Sequence, residues 1–113
     1  MSFKFSMLRG DDRDFEIPTT RSGSPVDLTG ASVRAHFKSD LGGSPVLQKS
    51  LGSGIEIDGD AADGVVVLSI DPADTSALTA ATTLYFDVEL TEADGRVTTV
   101  AEGVLLVRLD VTT

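Results

Sequence analysis

The sequence predicts an all-β antiparallel sandwich of about eight to nine short strands, with one short helical segment near residues 71–79. Three observations predict it. Apolar and polar residues alternate with period two along several runs, as in strands with one dry and one wet face. Clusters of Gly, Asp, Ser and Pro interrupt these runs at roughly ten-residue spacing. One Asp-Pro stretch, "DPADTSAL" at 71–78, follows neither pattern.

In chain order, strands are expected at 3–8 ("FKFSML") and 13–19, joined by the turn "LRGDD" (8–12). The cluster "RSGSP" (21–25) reads as a turn. "ASVRAHFK" then puts Val33, Ala35 and Phe37 on one face and Arg34, His36 and Lys38 on the other. After "DLGGSP" (40–45) come strands at 46–51 and in "GIEID", split by "LGSG" (51–54). The acidic turn "DGDAADG" (58–64) leads to a strand at 64–70. In 71–78, Asp71 suits an N-cap, Pro72 the first helical position and Asp74 the first turn, where a carboxylate favours the helix dipole. Tyr85 comes at the start of the next strand, "LYFDVEL". A helical turn and then a strand opening with Tyr is how immunoglobulin-type sandwiches build the corner between strands E and F, so the expected class narrows to an Ig-like sandwich. Asp94-Gly95 in "EADGR" (92–96) is a hairpin signal, and two strands follow at 96–101 and 103–111. Val33, Ala35, Phe37, Leu84, Phe86, Val88 and Leu90 are expected to line one core.

Composition bounds function. At 113 residues the chain is expected to be a single domain, 1–113, long enough to bury a core without staples. It has no Cys, which excludes disulfides, thiolate metal sites and Cys nucleophiles. Eighteen acidic residues against nine basic give a net charge of −9, which argues against a nucleic-acid partner. No apolar run approaches the ~20 residues of a membrane span, and "MSFKFSML" does not read as a signal peptide.

Several segments together resemble a known family. "LRGDDRDFEI", "GSPVDLTGASVRAHF", "DGVVVLSIDPADTSAL" and "LYFDVELTEADGRVTTVAEGVLLVRLDVT" are similar to the small Ig-like sandwich proteins encoded among tailed-bacteriophage structural genes. The N-terminal domain of phage baseplate upper proteins is the nearest named relative. The most specific parts are Gly10-Asp11, Val26-Asp27-Leu28-Thr29-Gly30, Asp74-Thr75 and the ending from Gly103 to Val111. The resemblance implies a non-enzymatic structural component of a virion, such as a baseplate, tail, neck or head-decoration protein. It implies other virion proteins as partners, a homo-oligomeric or particle-bound state, and a virion location after synthesis in the bacterial host cytoplasm. A host-surface carbohydrate-binding module is the alternative.

The individual motifs point the same way. Arg9-Gly10-Asp11 spells an integrin tripeptide, yet it lies between two strands, where Gly and Asp are ordinary turn formers. In "DGDAADG", Asp58 and Asp60 fit the first positions of a calcium loop, but Ala62 and Ser69 stand where further ligands belong. His36 is the only His, with no nucleophile motif near it, so no catalytic residue, metal or cofactor is assigned. The strands at 64–70 and 103–111 are apolar on both faces. They are either central strands covered by loops or the helix, or a subunit interface. The candidate interface residues are Phe3, Phe5, Val65, Val67, Val104 and Leu106, with the N-terminal strand at or near the contact.

Overall fold

A computed structural model describes residues 2–40 and 42–109. Among the described residues ten strands form: β1 (Ser2–Leu8), β2 (Arg13–Pro18), β3 (Thr20–Arg21), β4 (Ser24–Pro25), β5 (Ser32–Lys38), β6 (Leu47–Leu51), β7 (Gly54–Ile57), β8 (Val65–Ile70), β9 (Thr82–Thr91) and β10 (Val97–Arg108). A 3-10 turn at Ala61–Asp63 and one α-helical turn, α1 (Pro72–Thr75), complete the set.

Eight strands hydrogen-bond in the order β1-β10-β9-β5-β6-β7-β8-β2. The two end strands nevertheless meet, because the rings of Phe5 on β1 and Phe15 on β2 stack at 4.5 Å. The sheet therefore folds back on itself. It turns where β6 and β7 share only the pairs Ser50–Gly54 and Leu51–Ile55. The product is an Ig-like sandwich with a front layer β1-β10-β9-β5-β6 and a back layer β7-β8-β2. Its 23 Å thickness is that of two sheets ~10 Å apart with their outer side chains.

Alternation decides the interior. Val33, Ala35 and Phe37 of β5 and Leu84, Phe86, Val88 and Leu90 of β9 are all buried in one core. From the back layer, Phe15, Ile17, Ile55, Val66, Leu68 and Ile70 meet them. All five phenylalanines of the sequence belong to one aromatic chain. Phe3 stacks on Phe5, Phe5 on Phe15 and Phe86, and Phe86 tilts against Phe37.

The C-terminal strands correct one expectation. The runs 96–101 and 103–111 are one strand, β10, with a bulge between Thr99 and Ala101. The bulge places Val100 and Ala101 both inside, which breaks the alternation that separated the runs. Residues 110 and 111 of the expected strand lie outside the described residues. Gly103 is a close approach and not a break. A Cβ there would sit 2.9 Å from the backbone N of Phe3, its partner in the parallel β1–β10 ladder, and would overlap the Phe3 carbonyl oxygen. Gly103→Ala is expected to destabilise by about 1–3 kcal/mol. Amide exchange should speed up over β1 before it does over β9. Unchanged protection of β1 would show that the ladder tolerates the methyl group.

Residues 21–25, expected as a turn, are the tip of a small ribbon, β3–β4. Ser22 (φ 52°) and Gly23 (φ 81°) form its two-residue loop, and positive φ at both positions marks a type I′ turn. Arg21 anchors the ribbon to Glu92 at the β9–β10 hairpin (3.0 Å). Beyond it, Val26 and Leu28 drop into the core. Asp27 lies between them, held below the usual carboxylate pKa by the side-chain and backbone hydrogen bonds of Thr29.

The E–F corner is built differently from expectation. Tyr85 is 38% exposed on the outer face of β9, so it does not tie the corner down. Thr75, fully buried in α1, does so instead: its Oγ1 accepts the Gly10 N–H at 2.9 Å. Arg9 donates to the Leu78 carbonyl just beyond (2.9 Å). Within α1, the Asp74 carboxylate accepts the N–H of the N-cap residue Asp71 at 2.7 Å. The same carboxylate oxygen meets the Lys49 ammonium at 2.6 Å, pinning the helix to β6.

Candidate functional site

The tripeptide Arg9-Gly10-Asp11 is committed to the fold. Gly10 (φ 83°) turns the chain from β1 to β2, and its N–H is taken by Thr75. The Arg9 guanidinium reaches across to the corner, and the Asp11 N–H closes the turn on the Leu8 carbonyl (3.2 Å). Arg9 and Asp11 are therefore not presented together on a free loop. Animal cells are expected to show no Asp11-dependent adhesion to immobilised protein. Adhesion lost on Asp11→Glu would overturn this.

The acidic turn is occupied with its own backbone. Asp60 caps the 3-10 turn by accepting from the Ala62 N–H (3.0 Å), and Gly64 (φ 73°) ends it. Thr19 fastens the turn from the other side, with both its N–H and its Oγ1 donating to the Gly64 carbonyl at 2.7 Å. Among the described residues, no three His, Asp or Glu side chains converge as a metal site.

His36 faces outward on β5, half-buried, with Gln48 and Asp87 as cross-strand neighbours. It lines a shallow open hollow with Lys38, Tyr85, Asp87, Glu89 and Glu102. Arg34 beside it is paired with Glu89. The hollow brings one His and one Lys together with three carboxylates and the Tyr85 ring.

The six candidate interface residues fall into two groups. Phe3 and Phe5 turn inward and pack, half-buried, against the core. Val65 and Val67 lie half-buried on the outer face of the back layer, and Val104 and Leu106 do so on the outer face of the front layer. Each pair is thus the apolar centre of one broad face. Strand register supplies what surrounds them. In the front layer, Lys4, Val104, Tyr85 and Lys38 are cross-strand neighbours in one row. In the back layer, Glu16, Val67 and Glu56 form a shorter row. The four charged residues and Tyr85 were not among the sequence candidates. Alternation alone puts them on wet faces, but their grouping depends on which strands become neighbours.

No family model matches the chain, and no curated protein matches it.

Proposed function

We propose that this chain is a non-enzymatic structural module of a tailed-bacteriophage or phage-derived particle, working through contacts with other virion proteins or with copies of itself. The observation that carries the reading is the distribution of apolar residues. Valine and leucine lie half-buried at the centre of both broad faces, where a contact would cover them. Every phenylalanine is meanwhile drawn into the core cluster. The resemblance to the Ig-like sandwiches of phage structural genes, carried by Gly10-Asp11 and the Val26–Gly30 segment, supports the same reading. The sugar-binding alternative calls for a row of exposed aromatic rings, and Tyr85 stands alone on its face.

The test is to purify particles from the host that carries the gene and to follow the chain with a specific antibody through a density gradient. Comigration with intact particles, and its density in a cryo-EM map of them, is the expected result. A chain found only in the soluble fraction of a lysate full of particles would refute the reading.

A further inference from the structure

The two broad faces are complementary to each other. The front row has an apolar centre, Val104 and Tyr85, with an ammonium at each end from Lys4 and Lys38. The back row has an apolar centre, Val67, with a carboxylate at each end from Glu16 and Glu56. Strands lie about 4.8 Å apart, so the back row spans roughly 10 Å and the front row roughly 14 Å. The flexible Lys and Glu side chains readily close that difference. Leu106 and Val65 continue the apolar centres along their own strands. None of the four flanking charges has a hydrogen bond or ion pair among the described residues.

We infer that the occupant of each face is a second copy of this chain, with the glutamate-rimmed face of one copy docked on the lysine-rimmed face of the next. This rests on the reading that the chain works through protein contacts. Like-on-like packing is disfavoured in both senses, because it would oppose Lys4 and Lys38 to their own kind, or Glu16 and Glu56 to theirs. Front-to-back packing pairs each of these four charges with its opposite and covers valine with valine; the front-face carboxylates Asp87, Glu89 and Glu102 lie beside the row, Glu89 already paired with Arg34. Such a contact is heterologous, so it repeats into a ring or a row and does not stop at a pair. The net charge of −9 makes copies repel at a distance, and the docking is accordingly short-ranged.

The experiment uses two double variants, Lys4→Glu/Lys38→Glu and Glu16→Lys/Glu56→Lys. A control, Asp12→Lys/Asp63→Lys, changes net charge only in turns. Circular dichroism checks folding, and sedimentation velocity follows mass up to the solubility limit. Wild type and control are expected to associate and each double variant alone to remain monomeric. An equimolar mixture of the two double variants should associate again, because every mixed junction opposes unlike charges. If a double variant misfolds, the neutral changes Lys38→Gln and Glu56→Gln should each weaken association. A wild type monomeric at every concentration, a folded double variant that associates like wild type, or a mixture that stays monomeric overturns the inference. Particle incorporation separates the two readings. A monomeric protein that enters particles sinks self-docking alone, and a self-docking protein never found in particles sinks the virion assignment alone.

Discussion

Phe86→Ala is expected to destabilise the protein by about 3–5 kcal/mol, the range for emptying a large buried aromatic site. The ring is 4% exposed and stands between two others, 5.4 Å from Phe37 and 6.0 Å from Phe5. Its loss removes more than its own transfer free energy. Phe5 is held between Phe86 and Phe15, so the vacancy also loosens the seam where the first strand closes the sandwich over the second. Collapse is restricted because β9 lies between two fully laddered neighbours, β5 and β10. Urea unfolding should show a lower midpoint with an unchanged slope. A loss under about 1 kcal/mol would mean that Phe86 does not bridge the layers.

Asp74→Ala is expected to cost about 2–4 kcal/mol, somewhat below the 3–5 kcal/mol for breaking a fully buried ion pair, since its members keep 9% and 15% side-chain exposure. Two groups lose their partner together. The Asp71 N–H loses its acceptor at the helix start, and the Lys49 ammonium is left nearly dry. The Lys49 stem runs over Gly54, where a Cβ would lie 3.2 Å from the lysine Cγ. Adding Lys49→Met to Asp74→Ala should therefore recover most of the loss, keeping the stem's packing and removing the stranded charge. A double variant no more stable than Asp74→Ala would show that the ammonium was never desolvated enough to matter.

The sequence disclosed most where one residue's environment depends on its near neighbours. Alternation in "ASVRAHFK" and "LYFDVEL" placed seven core residues correctly, because a strand of period two has only two faces to choose from. Asp94-Gly95 marked a real hairpin, with Gly95 at φ 91°. It disclosed less where a distant strand decides. Gly103 looked like an interruption in its own run, and only the Phe3 backbone against it explains a glycine there. Tyr85 and Thr75 both carry a hydroxyl near the corner. Thr75 serves because α1 turns it inward toward Gly10, whereas β9 turns Tyr85 out. Asp74 was readable as a helix-start carboxylate, but Lys49 lies on a strand of another supersecondary unit. The charges on the outer faces are of the same kind: Lys4, Lys38, Glu16 and Glu56 looked like solvated strand residues until register grouped them around Val104 and Val67.

The parallel β1–β10 ladder, with Leu8 opposite Arg108, also governs the order of events when the chain is made. β1 leaves the ribosome first among these strands and its partner last. Until β10 is made, Phe3, Phe5 and Met7 have no ladder to join. Such non-local closure places folding among the slower two-state domains, in milliseconds to seconds. A nascent chain paused before β10 carries an apolar, unpaired strand, which is the kind of segment that chaperones hold and that aggregates when they do not.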